Sequence, residues 1–159
     1  MVKINTDEMQ EEESYSPGRK YGASGKDVSI ALGRVADSTD FLQRHPFDVE
    51  ISRIAPGMTN TLFHSHSAQW EFYHVIKGEG KVRDESGISS IKTGDAFLFK
   101  PGEPHQIIND STQDLVVYVI ADNPTSESLY LPDEKRWIVK SPGFHKVRFD
   151  SDDLYPSGD

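Results

Sequence analysis

Short runs of alternating apolar and polar residues fill the middle of the chain and predict a β-rich domain. Runs at 48–55, 71–77 and 115–121 are rich in β-branched and aromatic residues, and Gly, Pro or Asn residues separate such runs at regular intervals. Short strands at this spacing are typical of an all-β fold, a double-sheet jelly-roll barrel. The run Leu115–Ile120 is apolar on both faces, which predicts a central strand buried on both sides.

The same pattern divides the chain into three parts. Residues 1–25 are polar and acidic, which predicts a flexible N-terminal arm. Strand-forming runs occupy residues 26–122, which we assign to the barrel. The alternation weakens over residues 123–159, where we expect a C-terminal extension packed on the barrel. The pattern leaves open whether this extension lies outside the barrel, covers its mouth or meets a second subunit.

Two local predictions precede the main series of strands. Alternating apolar residues at Val28, Ile30 and Leu32 predict a first strand. Residues 37–44 are expected to form one or two helical turns with Asp37 as the N-terminal cap. Farther along, residues 59–66 are expected to form one continuous strand.

Composition narrows the possible functions of the 159 residues, a length that suits one domain. The chain has no cysteine, which excludes disulfides and leaves histidine and carboxylate as its strong metal donors. A net charge of −9 without a basic stripe argues against nucleic-acid partners. The longest apolar run is too short to span a membrane, and no apolar signal segment opens the chain, so we expect a cytoplasmic protein without membrane partners.

A histidine pair indicates a metal-binding strand. His64 and His66 are two residues apart, so their side chains share a face only if the segment is extended. Glu71 lies at an odd offset from His66, so the chain must turn before Glu71 opens the next strand. Tyr73 then shares the face of Glu71, whereas His74 points the other way and is predicted not to be a ligand.

A second segment supplies a further donor. Gly94-Asp95 predicts a turn, Ala96–Phe99 a short apolar strand, and the prolines within 101–104 a tight turn. His105 then begins a strand, so its imidazole is presented from a rigid setting. We therefore predict one divalent metal ion held by three imidazoles and one carboxylate: His64, His66, Glu71 and His105.

These residues make the chain resemble a cupin. The first motif of that family is matched, in order, by Gly57, His64, His66, Glu71 and Gly78. The second motif is matched by Gly94, Gly102, His105 and Asn109. Two positions depart from the family pattern, because Gly57 stands one residue too far from His64 and Lys100 replaces a proline. Neither departure touches a ligand position, and the resemblance implies a jelly-roll barrel around a metal ion.

The ligand set leaves the identity of the divalent ion open among Mn, Fe, Co, Ni and Zn. A six-coordinate ion would keep up to two positions for water or substrate, and zinc could expand from four ligands to five. An open position lets the ion polarise a carbonyl or enediolate oxygen or acidify a bound water. The expected partner is therefore a small-molecule substrate or ligand.

Four other residues are candidates for the pocket. Tyr73 could donate a proton to a substrate oxygen as a catalytic group, or could simply fill the barrel. Asn109 shares the face of His105 and could line the pocket, or could close a turn through backbone hydrogen bonds. Phe99 is expected to supply an apolar wall. Lys100 could attract an anionic substrate or face solvent.

The resemblance also implies several functions. Short single-barrel cupins with this motif resemble sugar-phosphate isomerases, whose substrate would need a cationic phosphate clamp. The available cations for such a clamp are Arg53, Arg83, Lys100 and Arg136. Dioxygenase or decarboxylase chemistry uses the same ligands. A non-catalytic metal-dependent sensor or small-molecule binding protein, and a purely structural barrel, are further alternatives. By family analogy we expect a homodimer.

Overall fold

The computed structural model describes residues 1–36, 38, 40–140 and 144–147. A 3-10 turn at Thr6–Glu8 and two short helices, α1 (Val28–Ala31) and α2 (Phe41–Arg44), accompany the strands. The strands of the first half are β1 (Glu12–Tyr15), β2 (Gly22–Asp27), β3 (Phe47–Ile54), β4 (Ser65–His66), β5 (Glu71–Lys77) and β6 (Glu79–Asp84). Those of the second half are β7 (Gly87–Lys92), β8 (Ala96–Phe99), β9 (Gln106–Ile108), β10 (Leu115–Asp122), β11 (Glu127–Leu131), β12 (Arg136–Lys140) and β13 (Phe144–Val147).

The strands pair into three antiparallel sheets that wrap around one core. The largest sheet has the order β1-β2-β3-β10-β5-β8, and the others have the orders β13-β12-β11-β4 and β7-β6-β9. Chain neighbours are often not sheet neighbours, as expected of a jelly roll. This architecture confirms the predicted all-β barrel. The side chains at the centre of the core are less than 2% exposed: Ile54, Val75, Ile107, Leu115 and Val117.

Strand β10 lies between β3 and β5, so the predicted central position is correct. The predicted burial of β10 on both faces is wrong, because the outer face of the sheet remains partly exposed. Ile120 is 36% exposed there and lies in register with Phe72, which in turn lies in register with Leu98. The three side chains form an apolar row on the outside of the sheet. The homodimer expected from the family resemblance stays a prediction.

Two predicted elements differ from the structure. Residues 28–31 form a helical turn rather than a strand, because the Asp27 carboxylate accepts a hydrogen bond from the Ile30 backbone N–H and caps the turn. Helix α2 is capped in the same way by Asp40, whereas the predicted cap Asp37 lies outside the described residues. Helix α2 therefore occupies only the end of the predicted helical segment 37–44.

The expected strand over residues 59–66 shortens to β4. Asn60 interrupts it, because the Asn60 side-chain oxygen, rather than a backbone carbonyl, accepts a hydrogen bond from the Ile107 N–H at 2.9 Å. Isolated bridges nevertheless keep the segment in place, pairing Thr59 with Ile108 and His64 with His105. The first metal-ligand candidates therefore lie on an irregular but well-paired segment.

The predicted N-terminal arm contains two strands that extend the main sheet. Strand β1 pairs with β2, and β2 pairs with β3 in the register Gly25↔Ser52 and Asp27↔Glu50. The first part of the chain thus lies against the barrel wall. The division into arm, barrel and extension stays a prediction. Across the described part of the chain, none of the helices has the length and apolar character needed to cross a bilayer.

Candidate metal centre

The four predicted ligands come together although they lie on different parts of the barrel. His66 belongs to β4, Glu71 opens β5, and His105 immediately precedes β9. Two backbone hydrogen bonds join His64 and His105. The His64 N–H donates to the His105 carbonyl at 3.2 Å, and the His105 N–H donates to the His64 carbonyl at 2.8 Å. We refer to His64, His66, Glu71 and His105 as the tetrad. All four residues lie inside the barrel, with the His105 side chain only 1% exposed.

The spacing of the donor atoms matches a single ion. The Nε2 atoms of His64 and His66 are 3.1 Å apart, and Oε2 of Glu71 lies 2.7 Å from Nε2 of His105. Oε1 of Glu71 lies 3.5 Å from Nε2 of His66, and the donors of the tetrad all fall within 4.8 Å of one another. Ligands about 2.1 Å from one ion are separated by about 3.0 Å at right angles and by about 4.2 Å when opposite. The tetrad could therefore hold one divalent ion.

The tautomers of two imidazoles are set by backbone carbonyls. Nδ1 of His64 lies 2.9 Å from the Leu62 carbonyl oxygen, and Nδ1 of His105 lies 3.1 Å from the Glu103 carbonyl oxygen. A carbonyl oxygen only accepts, so each Nδ1 carries the hydrogen and each Nε2 presents a lone pair. The lone pair on Nε2 of His105 then faces the Glu71 oxygen at 2.7 Å, an arrangement that is repulsive unless a cation lies between them, which is the chemistry of a metal site. The sequence alone did not identify these carbonyl partners.

The third imidazole has a different outer neighbour. Nδ1 of His66 has no hydrogen-bond partner among the described residues, and Oε1 of Glu127 lies 3.9 Å away. The same oxygen accepts hydrogen bonds from the backbone and hydroxyl of Ser67, which fix it beside the ring. Glu127 is thus a buried carboxylate near the centre that the sequence pattern did not indicate, because β11 follows the barrel strands.

Electrostatics keep the ligands in the states that bind metal. Burial, with the neighbouring His105 and His66, lowers the pKa of His64 to about 4, so its ring is neutral at neutral pH. Burial would raise the pKa of Glu71, but the close contacts of its carboxylate with the His105 and His66 rings outweigh it and hold that pKa well below its usual value. A neutral imidazole and an ionised carboxylate are the forms that coordinate a divalent ion.

Tyr73 lies next to the carboxylate of the tetrad, as its predicted face requires. Its phenol donates a hydrogen bond to Oε2 of Glu71 at 2.9 Å, and its ring stacks on Phe97 with the centroids 5.3 Å apart. Burial and the adjacent Glu71 charge raise the pKa of Tyr73 well above its usual value. The phenol therefore keeps its proton and positions the carboxylate. On the same strand, His74 is exposed, in agreement with its predicted outward face.

The other pocket candidates occupy different settings. Phe99 stacks on the His105 ring with the centroids 4.1 Å apart and supports it from behind. Asn109 is fully buried, and its amide donates to the carbonyls of Ile54 and Gln113 while its oxygen accepts twice from Ser111. These four bonds favour the turn-closing alternative for Asn109 over a role in the pocket. Lys100 is exposed.

A cavity of about 390 Å³ adjoins the tetrad. His64, His66, Glu71 and Tyr73 form one side of it, and residues of β1, β2 and β3 form another. That second side brings three carboxylates which the sequence analysis did not assign to the site: Glu12, Asp27 and Glu50. Among the residues that the structure describes, no lysine or arginine lines this cavity.

The cations proposed for a phosphate clamp lie elsewhere. Arg53 pairs with Glu11 at 2.8 Å and with Asp114 at 3.2 Å. Arg83 forms two bonds to Asp133, and its guanidinium lies over the Phe63 ring. Neither Lys100 nor Arg136 is among the described residues that line the cavity. The expected cationic clamp for a phosphate is therefore missing from the described walls of the cavity.

Comparison with known proteins shows which proteins the chain resembles. A family model described as "Cupin domain" matches residues 50–121, which include the whole tetrad. An oxalate-binding protein from Thermotoga maritima is 35% identical over 63 residues, which cover 40% of this chain and 51% of that protein. The chain thus spans about half the length of this curated relative.

Two crystal structures share most of the fold. A sugar phosphate isomerase from a cupin superfamily, from Silicibacter pomeroyi, superposes with a TM-score of 0.79 and 25% identity and covers 94% of each chain. A candidate sugar phosphate isomerase from Acidithiobacillus ferrooxidans gives a TM-score of 0.74 at 22% identity, covering 89% of this chain and 86% of its own. The second likeness extends to the fold alone.

Proposed function

The chain contains a cupin domain, and from that premise we propose that the protein is a metal-dependent enzyme acting on a small oxygenated metabolite. The proposed reaction is of the isomerase type, in which a proton moves between neighbouring carbons of a hydroxy-carbonyl compound. One observation carries the proposal: three members of the tetrad (His64, His66 and Glu71) line the same cavity as Glu50. A donor set for a divalent ion and a separate ionisable group therefore face a common ligand.

Each residue has a part in this chemistry. A divalent ion held by the tetrad would supply the Lewis acid that polarises a substrate carbonyl. Tyr73 orients the Glu71 carboxylate through its hydrogen bond. Glu50 is the proposed base, which accepts the proton from one substrate carbon and returns it to the neighbouring carbon. The hydroxyl proton passes to the former carbonyl oxygen, so no net proton is consumed. Phe99 holds the His105 ring in place by stacking.

We propose the isomerase chemistry but do not propose that the substrate carries a phosphate. Similarity to the Silicibacter pomeroyi isomerase supports the reaction type. The described lining of the cavity supplies no cation for a phosphate group. Phosphate recognition normally relies on Arg or Lys side chains or on backbone N–H groups at a helix terminus. The sugar-phosphate part of the expectation therefore has less support than the proton transfer.

Two alternatives use the same centre. The Thermotoga maritima relative is an oxalate-binding protein, which favours decarboxylase or dioxygenase chemistry with manganese or iron as the second candidate. Oxalate carries two negative charges, however, which the carboxylates of this cavity would repel. The third candidate is a metal-dependent sensor that only binds its ligand. The presence of Glu50, an ionisable group beyond the ligands, supports an enzyme over a sensor.

Deuterium exchange tests the proposal directly. The full chain, stripped with a chelator and reloaded with Mn²⁺, is incubated in D₂O with glucose, fructose and glucosamine. We expect metal-dependent deuterium incorporation at the carbon beside the carbonyl, observed by proton NMR, and its loss in Glu71→Gln and Glu50→Gln. The exposed His74→Ala variant serves as the matched control and should keep the wild-type rate. Incorporation that is absent, or equal with and without metal, would overturn the proposal.

A further inference from the structure

The carboxylates of the cavity differ in how their charges are balanced. Arg34 lies 3.3 Å from Asp27, so the charge of Asp27 is compensated. Glu12 and Glu50 form no ion pair within the described part of the chain, although both line the cavity. Their charges, together with that of Glu71, outweigh the two positive charges of a divalent ion in the tetrad. The cavity would thus remain electronegative even with metal bound.

Glu50 faces the cavity because of its place in the sheet. It shares the inward face of β3 with Ser52 and Ile54, both of which are buried. In register it lies opposite Asp27 on one side and Val119 on the other, and Val119 lies opposite Tyr73. Two strand spacings of about 4.8 Å therefore separate the backbones at Glu50 and Tyr73, and both side chains line the cavity between them.

The neighbouring strand leaves room for this carboxylate. A Cβ atom at Gly25 would lie 2.9 Å from Oε1 of Glu50, closer than side-chain carbons approach oxygen. Gly25 itself lines the cavity, so the glycine allows the Glu50 carboxylate to lie across the wall formed by β2. Glu50 as a whole remains accessible to solvent. Desolvation of its carboxylate and the charges of Asp27, Glu71 and Asp48 raise its pKa, against a hydrogen bond from Ser52.

We propose that the ligand of this cavity is a small hydroxylated compound bearing an ammonium group, with Glu50 as the residue that selects it. The inference rests on the proposed function for the metal-bound oxygens of the ligand and adds the charge of a substituent beside them. The hydroxyl and carbonyl oxygens face the tetrad, and the ammonium group, on the carbon next to the carbonyl, lies against Glu50. A phosphate or a carboxylate on the ligand would meet Glu12 and Glu50, two unpaired negative charges.

Calorimetric titration with three probes that share one skeleton tests this selection. The Mn²⁺-loaded full chain is titrated with glucose, glucosamine and glucose 6-phosphate. We expect glucosamine to bind at least 10-fold more tightly than glucose 6-phosphate, since a charge-assisted hydrogen bond contributes at least that factor. Glu50→Gln should weaken glucosamine binding about 10-fold, and Glu50→Lys should reverse the order of the two charged probes.

A matched variant separates the local charge from the net charge. Glu79→Gln makes the same change at an exposed position outside the described lining of the cavity and should leave all three affinities unchanged. Metal content and melting temperature, measured for every variant, verify that each protein is folded and loaded. Glucose 6-phosphate binding the wild type as tightly as glucosamine would overturn the inference. So would an unchanged glucosamine affinity in Glu50→Gln, or the absence of binding by all three probes.

The two proposals fail in different ways. Selective glucosamine binding without deuterium exchange in any probe would leave the ligand class standing and defeat the isomerase reaction. Metal-dependent exchange into glucose or fructose, with no preference for the ammonium probe in the titrations, would support the reaction and defeat the ligand class. The binding readout therefore does not depend on turnover.

Discussion

Metal binding should stabilise the barrel by an amount that can be worked out in advance. A ligand present at 100 times its dissociation constant stabilises the native state by about 2.7 kcal/mol. For a domain of this length, about 1 kcal/mol corresponds to a change of about 2–4 °C in the melting temperature. We therefore expect a divalent ion at that excess to raise the melting temperature of the wild type by about 5–10 °C.

Loss of one donor should remove this shift. Removing an outer partner of a ligand commonly lowers metal affinity about 10–100-fold, and losing a ligand itself lowers it further. In His64→Ala and Glu71→Gln, the same metal concentration would then be near or below the dissociation constant. The stabilisation falls to about 0.4 kcal/mol or less, which corresponds to about 1 °C.

The assay is differential scanning fluorimetry of chelated and metal-loaded protein at matched concentrations, with elemental analysis of the same samples. His74→Ala is the control, because this exposed histidine follows Glu71 on β5 but faces away from the tetrad. It should keep the full shift and one ion per chain. A full shift in the two ligand variants, or its loss in His74→Ala, would refute the assignment of the tetrad.

Three further outcomes follow from single contacts. Tyr73→Phe keeps the stacked ring but removes the hydrogen bond to Glu71, so metal affinity should fall about 10–100-fold in equilibrium dialysis; an unchanged affinity would contradict the positioning role. Asn109→Ala leaves buried turn carbonyls unpaired and should cost about 2–4 kcal/mol in urea unfolding, with unchanged metal stoichiometry in the folded protein. The pKa of His64 falls from 6.5 to about 4 on folding, so the unfolded chain binds more protons between these values. Chelated protein should therefore lose about 3 kcal/mol of stability as the pH falls through that window, and His64→Gln should lose less.

The sequence was sufficient for the parts of the site that depend on strand alternation. His64, His66 and Glu71 could be placed because the two-residue period of a strand and one turn determine their directions, and His105 because two prolines restrict the turn before it. The same alternation placed His74 outside. The tetrad then follows once the strands pair, which is why the metal-site geometry was predictable in outline.

Other features depend on contacts that no local pattern encodes. The sequence around Val28 alternates like a strand, and the Asp27 cap that makes it helical competes with that pattern. Glu50 carries a weak signal, as a charged residue at an inward position of a strand, but its role depends on β2 and Gly25 lying beside it. The carbonyls of Leu62 and Glu103 act through backbone atoms, which every residue possesses, so side-chain identity could not reveal them.

One turn shows how a small residue sustains the barrel. Gly78 links β5 to β6 with φ at +89°, and a Cβ atom there would collide with the Asp114 carbonyl just before β10. Both the backbone conformation and the close approach require glycine, which accounts for its place in the motif that the sequence matched.

The distribution of the tetrad over the barrel also ties ion retention to the folded state. Glu71 belongs to the six-stranded sheet, His66 to the four-stranded sheet, and His105 adjoins β9 of the three-stranded sheet. Separation of any sheet from the others would scatter the donors and release the ion. The number of ions retained per chain after gel filtration therefore reports the fraction of molecules in which the three sheets are assembled. This fraction measures native protein without any substrate.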